Sequence, residues 1–305
     1  MMDTAPIAIF VYNRPGHTEK MLESLLKNDL VSSSKIYVFC DGAKNDQDIK
    51  NVCAVNALIK NTLPQAELVE SKENKGLANS IIQGVSYVLE QYEDIIVLED
   101  DLVLSPSFLK YMNEALSYYR DYDDVMHISS YLPRLKDELP DSFFYREPSP
   151  WGWATWGRAW KYFRSDSKEL AMEILNNKKI SQFNQGHTYF FWEMLCRQYA
   201  GEVDSWAIRW YASMFVENGL SLYSGNSLVN NIGFDGSGTH CSTTNIHGAD
   251  IGEANTNFTN EISESRQYCA ALKHFRTGSI LKRMTNYLKH HRQFNKNISK
   301  LGAPH

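Results

Sequence analysis

The stretch Ile95-Ile96-Val97-Leu98-Glu99-Asp100-Asp101 decides the fold. A short apolar run rich in β-branched residues predicts a buried strand of a parallel sheet, and in open α/β sheets ligands bind just beyond the carboxyl ends of such strands. Three carboxylates at that point repel one another unless a cation lies among them, and oxygen ligands suit Mg²⁺ or Mn²⁺. The stretch therefore predicts a metal-diphosphate site. The alternative is a solvated acidic turn or a helix cap.

The apolar pattern around this stretch alternates between strands and helices. Strands are predicted over residues 7–12, 35–40, 67–70, 94–98 and 125–128, and helices over residues 17–30, 48–60, 77–91 and 107–120. Strands that alternate with helices of this length imply right-handed βαβ units and a parallel, Rossmann-like sheet. From about residue 133 the sequence becomes aromatic-rich and irregular, with helices predicted over residues 188–199 and 207–217.

The composition is that of a soluble globular protein. The chain has 305 residues, enough to bury a full core, with 43% apolar and 22% charged residues. Its five scattered cysteines include no Cys-x-x-Cys pair, which argues against a disulfide framework or a zinc ribbon. Because the N-terminal residues show no signal peptide and no apolar run in the sequence is long enough to cross a bilayer, we expect a cytoplasmic protein. We also expect no nucleic-acid partner.

The last forty residues differ in charge from the rest. No Asp or Glu follows Glu264, so that segment carries +9 while the remainder carries −14. Ile280, Leu281, Met284, Tyr287 and Leu288 share one face of a helix whose other face is cationic. This pattern fits a helix that lies on the anionic inner face of a membrane, and it equally fits a terminal helix docked on its own domain.

Polar residues follow each of the first four predicted strands. Asn13 and Arg14 follow the first strand, Asp41 the second, Lys75 the third and the acidic triplet the fourth. Arg and Lys favour phosphate oxygens, and an Asp can accept hydrogen bonds from a base or a ribose. Each of these residues alone also fits plain turn chemistry. Together they favour one shared nucleotide site.

Tryptophans are concentrated in the second half of the chain. All seven lie between residues 151 and 210, and Trp151, Trp153 and Trp156 are closely spaced. An aromatic ring beside polar groups suits the apolar face of a sugar, so these three are candidate acceptor-binding residues, although tryptophans also pack in cores. A glycine-rich segment then ends in His240, a candidate metal or diphosphate ligand.

Two carboxylates in this half are candidate general bases. Glu193 and Asp204 each stand in an aromatic neighbourhood. A base that deprotonates a sugar hydroxyl must reach it within hydrogen-bond distance in a dry pocket. The alternative for either residue is a cap or a surface position, and Asp204 is a candidate N-cap of the helix that follows.

These motifs together resemble a known family. Over about residues 5–245 the chain is similar to GT-A fold glycosyltransferases, most of all to the bacterial sugar transferases related to N-acetylglucosaminyltransferase I. The resemblance rests on Asn13-Arg14-Pro15, Asp41, the Glu99-Asp100-Asp101 triplet, the Trp151–Trp156 block and Gly238-Thr239-His240. It implies a mixed, mainly parallel α/β sheet with flanking helices, plus the helical tail.

The resemblance also implies roles for individual residues. Asp101 would bond the Mn²⁺ that bridges the nucleotide diphosphate, Glu99 and Asp100 would face the sugar and ribose of the donor, and Asp41 would face the uracil. Relatives of this kind invert the anomeric configuration with an aspartate base. Here the matching acid is Asp204, where the relatives carry a pair of acids.

The expected function is a metal-dependent glycosyltransferase. It would move a sugar, with N-acetylglucosamine as a candidate, from a UDP-sugar to a glycan or lipid-linked acceptor. Residues 1–132 would bind the nucleotide sugar, residues 133–265 would bind the acceptor and catalyse transfer, and residues 266–305 would form a basic helical tail. The alternatives are a Mg²⁺-dependent phosphohydrolase or nucleotidyltransferase, and a non-catalytic sugar-binding module.

Overall fold

The chain folds around an eight-stranded sheet, seen here in a computed structural model. The structure describes residues 4–236 and 248–278 and, beyond these, residues 284, 285, 288, 289, 293, 296–298 and 301. The strands are β1 (Ile7–Val11), β2 (Ile36–Cys40), β3 (Glu67–Glu70), β4 (Asp94–Glu99), β5 (Leu102–Leu104), β6 (Val125–Ser129), β7 (Ser142–Tyr145), β8 (Trp153–Trp156), β9 (Leu220–Ser224) and β10 (Val229–Asn231).

The large sheet is mixed and mainly parallel. Its order is β3-β2-β1-β4-β8-β6-β9-β7, and β5 pairs with β10 in a separate two-stranded sheet. β3, β2, β1 and β4 are parallel neighbours. β8 runs antiparallel between β4 and β6, β9 is parallel to β6, and β7 is antiparallel to β9. The expected fold class is confirmed, and the carboxyl ends of β1, β2, β3, β4, β6 and β9 share one edge of the sheet.

Ten helices are present in the part of the chain that the structure describes. They are α1 (Pro15–Leu25), α2 (Asp46–Thr62), α3 (Leu77–Leu89), α4 (Phe108–Tyr118), α5 (Gly157–Trp160), α6 (Ser167–Asn176), α7 (Ile180–Phe183), α8 (Phe191–Tyr199), α9 (Trp206–Val216) and α10 (Arg266–Thr277). The side chains of Asn45, Ser205 and Ser265 cap α2, α9 and α10. Among these described helices, none combines the length and apolarity that crossing a bilayer requires.

Every strand and helix predicted from the apolar pattern between residues 7 and 217 is present, with small shifts at the ends. The clearest shift is in α1, which ends at Leu25 instead of residue 30 and is followed by a short 3₁₀ turn at Asp29–Ser32. The pattern did not predict the short strands β5, β7, β8, β9 and β10.

Both faces of the sheet are buried, and β1 shows how the sequence achieves this. Ile7, Ile9 and Val11 point into one hydrophobic core, together with apolar residues of α1, α2 and α4. Ala8 and Phe10 point into a second core, which α3 and α9 cover. Because side chains alternate along a strand, a strand covered on both faces must be apolar throughout, as β1 is.

Residues near the C-terminus pack against the rest of the fold. Tyr268 and Leu272 of α10 pack against aromatic residues of β7 and β9. Ile298 and Leu301 are buried in a third core with α6, α8 and α9. Most of the predicted apolar face of the tail lies outside the described residues, but Met284 and Leu288 are described and are 60% and 56% exposed.

Candidate active site

The acidic triplet lies at the carboxyl end of β4, as the sequence predicts. Glu99 is the last residue of β4, and Asp100 and Asp101 form the turn before β5. β5 is held by antiparallel pairing with β10. Just after β10, the Ile232 amide donates to the Asp101 carbonyl at 2.9 Å. The two small strands therefore fix the position of the acidic turn at the edge of the large sheet.

Arg14 holds the two aspartates of the triplet. Its Nη2 donates to Asp100 Oδ1 and, at 2.9 Å, to Asp101 Oδ2. Both aspartates are buried, at 4% and 7% exposure. Burial raises the pKa of Asp100 to about 6, although Arg14 lowers it. Burial and the neighbouring aspartates raise the pKa of Glu99 well above its usual value. The turn therefore gathers buried acidic groups whose charged forms are disfavoured except where a positive group such as Arg14 lies beside them.

Asn231 and Gly233 also lie against Asp101. Asn231 Nδ2 lies 3.5 Å from Asp101 Oδ1, and Asn231 Oδ1 accepts from the Gly233 amide at 2.8 Å. A Cβ at position 233 would lie 3.0 Å from the Asp101 carboxylate carbon and 3.1 Å from Arg14 Nη1. Only glycine therefore fits against the carboxylate without a shift of its neighbours. Neither residue was among the sequence-predicted site residues.

The donor set of this turn fits Mg²⁺ or Mn²⁺ bound together with a phosphate. Asp100 Oδ2 is buried and has no hydrogen-bond partner among the described residues. The described part of the chain contains no group of three His, Cys, Asp or Glu side chains arranged as a metal cage. Mg²⁺ is commonly held by one or two carboxylates plus substrate phosphates, so this site suits a cation that arrives with a diphosphate.

Asp41 lies at the carboxyl end of β2 and organises the loop before α3. Its carboxylate accepts from the backbone amides of Gly42 at 3.0 Å, Lys75 at 2.8 Å and Gly76 at 3.0 Å. Beside this loop is an open cleft of about 520 Å³ lined by residues 71–75, Asn79 and Gln83. Asp41 therefore shapes one wall of a cleft at the same sheet edge as the triplet.

Two further predicted nucleotide contacts have local partners. Asn13 Nδ2 donates to Asp48 Oδ1 at 2.7 Å, which ties the end of β1 to α2. Lys75 is exposed, and its Nζ donates to Gln83 Oε1 at 2.9 Å across the cleft. Lys75 is thus placed at the cleft, whereas the Asn13 side chain is engaged with α2.

The structure corrects the prediction for two of the three tryptophans. Trp153 and Trp156 lie in β8 and are almost fully buried, so neither ring is presented to a ligand. Trp153 stacks on Trp206 with ring centroids 5.0 Å apart. β8 lies between β4 and β6 inside the sheet, so Trp156 packs into the first hydrophobic core and Trp153 into the second, which the sequence alone did not reveal. The alternative interpretation of these two residues as core is therefore correct.

Trp151 is half-buried and lies close to the acidic turn. Its ring contacts Tyr131 with centroids 4.4 Å apart and Phe234 with centroids 5.4 Å apart. Phe234 directly follows Gly233, which packs against Asp101. Trp151 therefore stays a candidate acceptor contact, and the neighbouring Tyr131 is buried at 8% exposure.

The two candidate bases lie in different surroundings. Asp204 precedes α9, is 55% exposed at its side chain, and accepts from Arg209 Nη2 at 2.9 Å. Ser205 caps α9, so the expectation that Asp204 is the N-cap is wrong. Glu193 lies in the first turn of α8, is half-buried, and has Asn184 Nδ2 at 3.5 Å from Oε2. His240 lies outside the described residues.

Residues 7–171, more than half of the chain, match the family described as Glycosyl transferase family 2. The chain belongs to this family. The matched region contains β1 to β4, Arg14, Asp41 and the acidic triplet. No curated protein matches the chain significantly.

Two solved structures resemble this family 2 chain at a low level. PcManGT, a mannosyltransferase from Pyrobaculum calidifontis solved with GDP-Man and Mn²⁺, is 17% identical with a TM-score of 0.36, over 57% of this chain and 50% of its own. S. aureus TarS is 13% identical with a TM-score of 0.40, over 75% of this chain and 37% of its own. The chain spans half or less of both structures.

Proposed function

We propose that this chain is a metal-dependent glycosyltransferase that transfers a sugar from a UDP-sugar, with N-acetylglucosamine as the candidate sugar, to a glycan or lipid-linked acceptor. The observation that carries the proposal is the buried acidic turn after β4, in a chain of glycosyl transferase family 2. Two buried aspartates at the carboxyl edge of the sheet, the edge that also carries Asp41 and its cleft, suit a nucleotide diphosphate bound with Mn²⁺ or Mg²⁺.

The roles of the donor-side residues follow from their positions. Asp101 would hold the cation, and Asp100 and Glu99 would contact the ribose and the sugar of the donor. The cleft beside Asp41 would take the uracil, with Lys75 at its exposed rim. When bound, the divalent cation supplies positive charge that stabilises the departing diphosphate. Arg14 is the chain's own cation at the same place.

Asp204 is the proposed base. The proton of the acceptor hydroxyl would move to its carboxylate while the hydroxyl oxygen forms a bond to the anomeric carbon. The bond from that carbon to the diphosphate oxygen breaks, its electron pair leaves with UDP, and the configuration inverts. Arg209 orients the Asp204 carboxylate. Because Asp204 is 55% exposed at its side chain, the bound acceptor has to cover it to exclude water.

The acceptor would lie on the side of Trp151. In this proposal residues 1–132 bind the donor, residues 133–265 bind the acceptor, and residues 266–305 form the basic tail. The exposed Met284 and Leu288, with Lys289 beside them, support a contact of this tail with an anionic, cytoplasmic membrane surface. Replacement of Met284 and Leu288 by serine, which leaves Ile298 and Leu301 in the third core, should then weaken binding to anionic lipid vesicles, and unchanged binding would contradict the membrane contact.

A screen of nucleotide sugars tests the proposed activity. The purified chain is incubated with Mn²⁺ and single nucleotide sugars, with and without oligosaccharide acceptors, and release of the nucleoside diphosphate is measured. We expect turnover of a UDP-sugar that D101N abolishes and D250N preserves, because Asp250 pairs with Arg134 away from the triplet. If no UDP-sugar is consumed, or if D101N is as active as the wild type, the proposal fails.

A further inference from the structure

Within the described residues, Arg14 forms ion pairs with both aspartates of the acidic turn, and His17 lies near enough to act on Asp100 electrostatically. One nitrogen of Arg14, Nη2, contacts both Asp100 and Asp101, whose side chains are only 5% and 10% exposed. Asp101 Oδ2, the oxygen that Arg14 contacts, belongs to the residue proposed to hold the divalent cation. The guanidinium and the metal would therefore use the same carboxylate.

We propose that Arg14 is an exchangeable counter-ion, which occupies the acidic turn in the donor-free protein and yields Asp101 to the divalent cation when the diphosphate arrives. This inference rests on the proposed function, because it presumes a cation and a diphosphate at this turn. It goes beyond that function by giving Arg14 two alternating partners and by predicting that nucleotide and metal bind together.

The way in which Arg14 is anchored suits such an exchange. Its backbone carbonyl accepts from the amides of His17 at 3.1 Å and Thr18 at 3.0 Å, and from the Thr18 hydroxyl at 2.9 Å. Pro15 follows at the first position of α1. The backbone of Arg14 is thus fixed at the start of a helix, while its side chain can change partner through rotation about its own bonds. The guanidinium stays charged throughout, since arginine keeps its proton in proteins.

The crowding around Asp101 and the positive charge of Arg14 are the reasons why Arg14 has to leave Asp101 before a divalent cation can bind there. Gly233 packs against Asp101 on one side and leaves no room even for a Cβ, and Arg14 lies against the same carboxylate. A divalent cation that bonds Asp101 there would meet the positive guanidinium at close range and be repelled. A nucleotide diphosphate removes this obstacle, because its phosphate oxygens offer Arg14 a bidentate partner and offer the cation further ligands.

Binding of Mn²⁺ without nucleotide tests the exchange directly. The dissociation constant of Mn²⁺ alone is measured by electron paramagnetic resonance or calorimetry for the wild type, R14Q, R14K and the control R134Q, whose arginine also pairs with an aspartate but outside the triplet. The wild type and R134Q should bind Mn²⁺ weakly. R14Q should bind it about tenfold or more tightly, because the competing charge-assisted hydrogen bonds are gone. R14K keeps the positive charge but lacks the planar guanidinium group with its several donors. Its Mn²⁺ affinity should therefore lie between those of the wild type and R14Q.

The same samples with UDP separate the two ways of failing. In the wild type UDP should tighten Mn²⁺ binding, and in R14Q metal-free UDP binding should weaken because the phosphates lose a partner. If the wild type with UDP binds no Mn²⁺, the proposed cation is wrong and the exchange with it. If the wild type binds Mn²⁺ with UDP but R14Q and R14K bind Mn²⁺ alone no better than the wild type, only the exchange is overturned.

Discussion

The contact between Gly233 and the acidic turn leads to a sharp prediction for the variant G233A. The backbone of Gly233 is not among the positive-φ glycines, so alanine is tolerated conformationally, and the cost comes from packing alone. The new Cβ would lie 3.0 Å from the Asp101 carboxylate carbon and 3.1 Å from Arg14 Nη1. To restore an ordinary contact of about 3.5 Å to the nearest carboxylate oxygen, Asp101 has to retreat by roughly 1 Å.

Two measurements follow from this displacement. Overpacking of this kind costs about 1–3 kcal/mol of unfolding free energy, and each kcal/mol lowers the Tm of a protein of this size by about 2–4 °C. Metal bonds tolerate errors of only about 0.2 Å, so the joint affinity for Mn²⁺ and UDP should fall by about tenfold or more. Thermal melts and calorimetric titration of UDP in the presence of Mn²⁺ measure the two effects.

A matched control is available at Gly16. A Cβ at that position in α1 meets nothing within 4 Å, although Arg14 is two residues away. G16A should therefore keep the affinity for Mn²⁺ and UDP and should not lose stability, since alanine is favoured over glycine in a helix. If G233A binds Mn²⁺ and UDP as tightly as G16A does, Asp101 does not hold the cation and the reasoning is refuted.

The remaining predictions concern the base, the donor cleft and a buried histidine. D204N should abolish transfer while UDP binding stays intact, with activity assayed on the UDP-sugar found in the screen; if E193Q does this instead, Glu193 is the base. D41N should lower stability by about 1–3 kcal/mol in chemical denaturation and weaken UDP binding, because one oxygen that accepts backbone amides is lost; unchanged UDP affinity would remove Asp41 from the donor site. Burial lowers the pKa of His127 to about 3, so the folded protein keeps it neutral while the unfolded chain protonates it below about pH 6.5. Stability should thus fall by about 1.4 kcal/mol per pH unit between pH 6 and pH 4 relative to H127Q, and equal slopes in the two proteins would contradict this.

The donor half could be predicted from the sequence because its signals are local. Each of β1 to β4 is a short apolar run, or in β3 a half-buried one, followed by polar residues and a periodic helix. Parallel strands connected through helices bring their carboxyl ends to one edge, so Asp41 and the acidic triplet had to lie on the same side. The alternation of apolar strands and helices therefore predicts that the site lies at the carboxyl edge of the sheet.

The second half could not be predicted in the same way, because its strands depend on distant partners. β8 is only four residues long and is placed between β4 and β6, so the burial of Trp153 and Trp156 is decided by strands far away in sequence. Likewise, the pairing of β10 with β5 brings Asn231 to Asp101, 130 residues away. No spacing rule in the sequence encodes either contact.

Arg14 shows how far the site itself could be predicted from the sequence. Its position after β1 predicted a phosphate contact, but its pairing with Asp100 and Asp101 depends on β1 and β4 being neighbours. That neighbour relation places the guanidinium beside the acidic turn. The structure thus adds a competitor for the metal site that composition and motifs did not indicate.

Asp101 is proposed to form a joint site for a divalent cation and a nucleotide diphosphate. Thermal stability measured with Mn²⁺ alone, UDP alone and both together tests it most directly. A ligand at a hundred times its dissociation constant stabilises the folded state by about 2.7 kcal/mol, so the wild type should show a clear rise in Tm with both ligands and little with Mn²⁺ alone. D101N should lose the joint rise. No joint rise in the wild type, or an equal rise in D101N, would contradict the account.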